Sequence, residues 1–146
     1  MAAVVAVAFA VGCQSGEPVP QAAAPVPQAS FAQDVAAFWS EFRRAMLADD
    51  IDRLSRMTRF PLEVRGETDA DPVVRVDRAQ LKGTVSRIIA QDSGMGAQQE
   101  TVRQFIERTP SIKPTSVEPD GGAARVGDFV FERVDGRWLL VRVYAR

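Results

Sequence analysis

Residues 124–144 have the sequence ARVGDFVFERVDGRWLLVRVY, and this stretch decides the fold. Its β-branched and aromatic residues predict one long strand over 124–134 and a returning strand over 138–144. Between them, Asp135-Gly136 is the residue pair that tight two-residue hairpin turns favour. Apolar residues on both faces of the returning strand indicate a central position in a sheet. The stretch therefore predicts a β-meander at the end of the chain.

Upstream of this stretch, the helical spacing of apolar residues dominates the sequence. A first helix is predicted to begin at a capping box formed by Ser30 and Gln33. Shorter helices are predicted after the Asp49-Asp50 pair, after Asp77 and around 100–108. The residues predicted to face the core are Phe31, Val35, Phe38, Trp39, Phe42 and Met46, then Ile51, Leu54 and Met57, then Leu81, Val85, Ile88 and Ile89, then Val102, Phe105 and Ile106. The opposite face of the first helix is expected to be solvated and carries Asp34, Glu41, Arg43 and Arg44.

Two short strands are predicted between the second and third helices. Phe60-Pro61 is expected to end the second helix, after which Leu62–Val64 and Val73–Val76 form a hairpin around the turn-rich loop 66–72. The whole pattern predicts one α+β domain over 31–146. In this domain, N-terminal helices pack on a curved antiparallel sheet that ends in the meander.

Composition excludes several classes of function. The chain has 146 residues, 18 Lys and Arg against 19 Asp and Glu, one Cys and no His. Without His, neither a Ser-His-Asp triad nor an imidazole metal ligand is available, and one Cys cannot form a zinc cage. The near-neutral charge argues against a nucleic-acid partner. No metal and no cofactor are predicted.

The first residues resemble a bacterial lipoprotein signal. Residues 2–12 are uncharged and apolar but too short to cross a bilayer as a helix, which favours a signal peptide over 1–12. The sequence Ala10-Val11-Gly12-Cys13 resembles a lipobox, so that Cys13 is predicted to be the lipid attachment site. Two alternatives are cleavage after Ala8-Phe9-Ala10, which frees a soluble protein, and a buried Cys in an N-terminal helix. The missing cationic region indicates a start codon upstream or a weak signal.

The residues that follow Cys13 favour the lipid-anchored interpretation. Four of the nine prolines fall within 14–30, together with a single charge, so residues 13–30 are predicted to be an extended tether. By analogy with Gram-negative lipoproteins, Gln14 after the Cys favours the outer membrane, facing the periplasm. The sequence therefore predicts a cell-envelope domain that meets the membrane through an N-terminal lipid.

The order of elements resembles the nuclear transport factor 2-like (cystatin-like) superfamily. The resemblance covers roughly 31–146 and includes the end of the first helix at Ala45–Asp50, then Leu54, Phe60–Val64 and the closing strand Gly136–Val141. It implies a cone-like fold in which the sheet curls around a helix and often leaves an apolar cavity. Members of this superfamily isomerise, dehydrate or hydrolyse small molecules, or only bind partners.

Two residues are candidates for acid or base chemistry in such a cavity. These are Asp128, between Gly127 and Phe129, and Tyr144, the single tyrosine. The resemblance implies that an Asp, His or Tyr inside the cavity would do this work. The alternative to a catalytic role is that Asp128 faces solvent and that Tyr144 lies on the terminal strand with its hydroxyl in water. A carboxyl group in an apolar pocket keeps a high pKa, so the direction in which each side chain points separates these interpretations.

Other motifs predict no site. Glu67, Asp69 and Asp71 alternate in a loop but lack the glycine and bidentate glutamate of a calcium loop. Gly94-Met95-Gly96 does not follow a predicted strand, so a phosphate-binding loop is not expected. The sixteen arginines are spread along the chain among acidic residues, and no basic patch is predicted.

Three functions remain as hypotheses. The first is a lipid-anchored, non-enzymatic domain that binds a small apolar ligand or a protein partner. The second is a cavity enzyme of the isomerase, dehydratase or cyclase type. The third is a free periplasmic or secreted homodimer joined through the outer face of its sheet. Exposed valine, leucine or tryptophan side chains on the strands of 124–144 would favour such a dimer.

Overall fold

A computed structural model describes the backbone of residues 28–68, 70–94, 100–113, 116–118 and 120–146, with side chains from Asp34 onward. Helices and strands follow in the predicted general order, and a short 3₁₀ helix, Arg78–Gln80, leads into the third α-helix. The elements are α1 (Gln28–Leu47), α2 (Ile51–Arg56), β1 (Thr58–Arg65), β2 (Val74–Val76), α3 (Leu81–Ala90), α4 (Val102–Arg108), β3 (Ala123–Val126), β4 (Phe129–Val134) and β5 (Arg137–Tyr144). The predicted signal, Cys13 and most of the tether lie outside the described residues.

The five strands form one sheet in the order β2-β1-β5-β4-β3. The α+β class is confirmed, and so are the hairpin of β1 with β2 and the central position of β5. The sheet is mixed, however, because β1 and β5 run parallel while the other neighbours are antiparallel. Three strands (β2, β3 and β4), a 3₁₀ helix and two α-helices separate β1 from β5 in the chain. The relative direction of the pair therefore depends on the path of that whole connection.

The helices cover one face of the sheet, and aromatic rings fill the space between them. Trp39 and Phe42 from α1 and Phe129 and Phe131 from β4 are all fully buried. The Phe42 ring centroid lies 5.1 Å from that of Phe131 and 5.4 Å from that of Phe129, both edge-to-face. This arrangement is a favourable one for aromatic pairs. The predicted inward stripe of α1 is therefore the centre of the core.

Several predicted boundaries were wrong. Helix α1 begins at Gln28, so Ser30 lies within its first turn and is not the cap. Helix α2 ends at Arg56, and β1 begins at Thr58 and continues through the cis Phe60-Pro61 bond. Proline was expected to stop the element before it, but this one lies inside a strand.

The predicted long strand over 124–134 is two strands. Gly127 has a φ of +57°, and Val126 pairs with Phe129, so Gly127-Asp128 is a two-residue turn between β3 and β4. Glycine adopts positive φ without steric cost, and this allows the chain to reverse. The Asp135-Gly136 turn is confirmed, with positive φ at both residues. The meander therefore has one more hairpin than predicted.

The residues of α3 and α4 that were predicted to face the core are all buried. A capping box of Thr101 and Gln104 begins α4, and Asp77, after which α3 was predicted, forms another with Gln80. Arg43, predicted to be solvated, instead donates hydrogen bonds to the carbonyl oxygens of Ile106 (2.8 Å) and Glu107 (2.7 Å). These carbonyls belong to the last turn of α4, which lacks helical partners. Arg43 therefore fixes the end of α4 against α1.

Candidate functional site

Asp128 is buried, with 4% of its surface exposed, in the turn between β3 and β4. Its backbone oxygen accepts a hydrogen bond from the amide of Tyr144 at 2.9 Å, which ties the turn to β5. Its carboxylate accepts a hydrogen bond from Nη1 of Arg146 at 3.0 Å. Of the two positions that the sequence left open for Asp128, its burial fits the interior one and not the solvent-facing one. The residue nevertheless meets a cation and not an open cavity.

Burial raises the pKa of the Asp128 carboxyl, because an ionised carboxylate loses hydration there. The charges of Arg146 and Arg125 oppose this rise. Arg146 also pairs with Glu67 and donates to the backbone oxygen of Asp92 at 3.1 Å. Asp128 thus belongs to a polar cluster that joins three loops. Such a cluster accounts for a buried carboxyl without any catalytic role.

Tyr144 lies on the opposite face of the sheet from the core. It pairs with Arg65 across the parallel strands, and Arg65 follows the outward-facing Glu63 by two residues. The guanidinium of Arg125 lies 4.5 Å from the centroid of the tyrosine ring, a cation–π distance. The two catalytic candidates thus share Arg125 as a neighbour, but neither side chain is among the described lining of the cleft below.

A cleft of about 1090 Å³ lies beside the edge strand β3. One wall is the end of α4 with the segment that follows it, and the other is β3 with its turn. Apolar side chains form much of the lining, and charged and hydroxyl groups complete it. The described lining residues are Gly94, Phe105, Arg108, Thr109, Ser111, Ile112, Lys113, Ser116, Val117, Glu118, Arg125, Val126 and Gly127.

The position of this cleft follows from contacts made by α1. The indole nitrogen of Trp39 donates to the backbone oxygen of Thr109 at 2.8 Å, and Arg43 donates to the backbone oxygens of Ile106 and Glu107. Phe105 and Ile106 anchor α4 in the core at the same level. On the other side, Val117 bridges to Ala124 beside β3. Both walls are therefore attached to the core.

Close backbone packing shapes one end of the cleft. A Cβ atom placed on Gly127 would lie 2.6 Å from the ring of Phe105, so only glycine lets β3 approach α4 this closely. A Cβ on Gly94 would lie 2.5 Å from the guanidinium of Arg146. The Asp128–Arg146 pair is thus adjacent to the cleft, although neither residue is among its described lining.

The cations of the cleft outnumber its acids among the described lining residues. Arg108, Lys113 and Arg125 face a single carboxylate, Glu118. Arg108 pairs with Glu100, and its hydrogen bond lowers the pKa of that carboxyl. Apolar walls and a cationic rim suit a ligand that has an apolar body and a negatively charged group.

The acidic loop has internal partners. The Asp71 carboxylate accepts hydrogen bonds from the amide (2.8 Å) and hydroxyl (2.9 Å) of Thr68, while Glu67 pairs with Arg146. Asp69 lies outside the described residues. Across the described ranges, no three His, Cys, Asp or Glu side chains could together hold a metal ion. In the same ranges, no helix has the length and apolar character that crossing a membrane requires.

One surface of the sheet was not predicted from the sequence. Strand register aligns Arg75, Glu63, Arg142, Val130 and Arg125 in a row across all five strands. These residues come from positions 63 to 142, so their spread along the chain concealed the row. The signal that could have found them is strand alternation, because each lies next to a core-facing residue such as Leu62, Phe129 or Val143.

The chain was compared with known protein families, with curated proteins and with solved structures, and none of them matches it.

Proposed function

We propose that this chain is a lipid-anchored cell-envelope domain that binds a small ligand in the cleft beside β3. The observation that carries the proposal is the cleft itself, whose volume of about 1090 Å³ reaches the upper range of ligand sites. Phe105, Ile112 and Val117 offer an apolar floor. Lys113 and Arg125 supply positive charge at the rim, so the favoured ligand has an apolar body with a carboxylate, sulfonate or phosphate group.

The geometry of Asp128 favours binding over catalysis. A general acid or base must reach its substrate, and the Asp128 carboxylate is already hydrogen-bonded to Arg146 at 3.0 Å. Tyr144 lies under Arg125 on the outer face. Neither residue contributes to the described lining of the cleft. The cavity-enzyme hypothesis therefore has no residue at the place where the ligand would lie.

Membership of the nuclear transport factor 2-like superfamily is part of the same proposal. Its support is the order of elements, with a long aromatic helix packed on a curved sheet whose last strand is central. In this chain, Trp39, Phe42, Phe129 and Phe131 fill the space between α1 and the sheet. The proposed binding site therefore lies beside the edge strand and not beneath the centre of the sheet.

The cleft is tested with the dye 1-anilinonaphthalene-8-sulfonate, which combines an apolar body with one negative charge. The chain has two lysines, Lys113 in the cleft and Lys82 on the exposed face of α3. We expect Lys113→Glu to weaken dye binding about tenfold, as expected for loss of a charged contact. Fluorescence titration against the wild-type chain measures the change.

Lys82→Glu is the matched control, since it changes the net charge equally outside the cleft. We expect its dye affinity to stay within about twofold of wild type. Chemical shifts or urea unfolding would show that both variants fold alike. Equal dye affinities for the two variants would place the ligand elsewhere and overturn the cleft proposal.

The lipid anchor is tested separately at Cys13. Cys13→Ser removes the thiol that would carry the lipid, so we expect the variant to lose labelling by a radioactive or clickable palmitate. It should also move from the membrane fraction to the soluble fraction of a bacterial host. Ser15→Ala, two residues further on, is the control and should keep both properties. If palmitate does not label the wild-type chain, the proposed lipid anchor is wrong. The proposed ligand site in the cleft would not be affected.

A further inference from the structure

The outer face of the sheet concentrates positive charge that the sequence spreads along the chain. The five-residue row that crosses the strands holds three arginines, Arg75, Arg142 and Arg125, with Glu63 as its acidic member. The row crosses four strand spacings, or about 19 Å. Arg65 adds a fourth cation beside Glu63, to which its guanidinium lies 3.3 Å away. We call this set, with Tyr144, the arginine face.

The ion pairs within the arginine face leave much of its charge unbalanced. Glu63 accepts a hydrogen bond from Arg142 at 3.0 Å and also contacts Arg65. These contacts lower the pKa of Glu63, so this carboxylate stays ionised at neutral pH. The four arginines and one glutamate of this set carry a net charge of +3, and Glu132, on the same face by strand alternation, lies 3.5 Å from Arg59. The whole chain carries −1, so the remaining residues together carry −4.

The side chains at the ends of the row are available to a partner. Arg75 and Arg125 are exposed, on β2 and β3 at opposite edges of the sheet. Arg125 stacks on Tyr144, which holds the guanidinium beside an aromatic ring. A planar guanidinium can donate two parallel hydrogen bonds to one phosphate group. The arrangement thus offers several phosphate-binding groups spread over a sheet face.

We propose that the arginine face docks on a surface of anionic phospholipid headgroups. Charge complementarity supports this partner, and the spread of the arginines across five strands matches a surface that presents many phosphates at once. A second copy of the chain fits poorly, because a two-fold contact through this face would bring the same arginines together. The docking and the cleft share Arg125, which also lies at the rim of the cleft, so Arg75→Gln alone, outside the cleft lining, separates docking from ligand binding. The proposed lipid anchor would only add to the docking.

The test measures binding of the unacylated Cys13→Ser chain to vesicles by co-sedimentation. Vesicles of phosphatidylcholine with 30% phosphatidylglycerol are compared with pure phosphatidylcholine. Each basic residue near an anionic surface contributes about a fivefold change in partition. We therefore expect a preference of about 100-fold for the anionic vesicles that falls steeply as salt rises. Because both vesicles offer the same apolar core, the apolar residues 2–12 cannot produce this preference.

Two double variants assign the preference to the arginine face. Arg75→Gln with Arg125→Gln should reduce it about 25-fold. Arg56→Gln with Arg87→Gln removes the same charge from exposed positions on α2 and α3 and should change it less than threefold. Arg75→Lys with Arg125→Lys should retain most of the binding. Equal losses in the first two variants would overturn the proposal. Equal binding to both vesicles, or tighter binding to a single-stranded oligonucleotide, would also overturn it.

Discussion

Replacing Phe42 with alanine is expected to lower the free energy of unfolding by about 3–5 kcal/mol. The Phe42 side chain is fully buried, and its ring contacts the rings of Phe38, Trp39, Phe129 and Phe131 at centroid distances of 5.1–6.1 Å. Truncation removes the apolar surface and also leaves a cavity, because rings fixed on a helix and on a strand cannot close together. Urea unfolding monitored by tryptophan fluorescence measures the loss.

Two other variants show whether the loss comes from the aromatic cluster. Phe42→Leu keeps most of the buried volume and should cost about 1–2 kcal/mol. Phe60→Ala removes the same atoms from a half-buried ring at the rim of the core, beneath the guanidinium of Arg78, and should cost less than Phe42→Ala. A Phe42→Ala loss no larger than that of Phe60→Ala would mean that the centre of the core lies elsewhere.

Burial and turns that depend on residues close together in the sequence were predicted correctly. Val102, Phe105 and Ile106 follow helical spacing, and all three are buried in α4. Asp135-Gly136 was predicted to be a tight turn because few other residue pairs accept positive φ at both positions. Gly127-Asp128 carries a related turn signal, with glycine first, which was overlooked inside an otherwise continuous strand pattern.

Contacts between distant parts of the chain were not predictable in the same way. Asp128 was identified as a polar residue of the meander, but its partner Arg146 was not, since strand alternation does not show which loops meet. The row of Arg75, Arg142 and Arg125 depends on the parallel pairing of β1 with β5. Antiparallel pairing of those strands would have aligned different residues. The absence of a basic patch was therefore inferred from spacing along the chain, whereas charge acts through spacing in the fold.

The walls of the cleft also depend on a contact of this kind. Gly127 and Phe105 are far apart in the sequence, yet a Cβ on Gly127 would lie 2.6 Å from the Phe105 ring. Two separate reasons favour glycine at position 127: its φ of +57° and the close approach of the Phe105 ring. Helix α4 can therefore pack against β3 this closely only if position 127 has no side chain. A single substitution tests both requirements.

Gly127→Ala is expected to lower the free energy of unfolding by about 2–5 kcal/mol, about 1–2 from the positive φ and the remainder from overlap with Phe105. Gly136→Ala is the matched control, because Gly136 has a φ of +77° and no atom within 4 Å of an added Cβ. It should cost about 1–2 kcal/mol. The difference between the two variants in urea unfolding isolates the overlap.

Combining Gly127→Ala with Phe105→Leu completes the test. The shorter leucine side chain removes the ring atoms that an alanine Cβ would meet. The double variant should therefore lose less free energy of unfolding than the sum of the losses of the two single variants. Dye binding should weaken in Gly127→Ala, because the displaced ring moves toward the cleft that it lines. Strictly additive losses would show that β3 and α4 are not in contact at this point. In that case the cleft between α4 and β3 would be wider than in this structure, and Phe105 would not form its apolar floor.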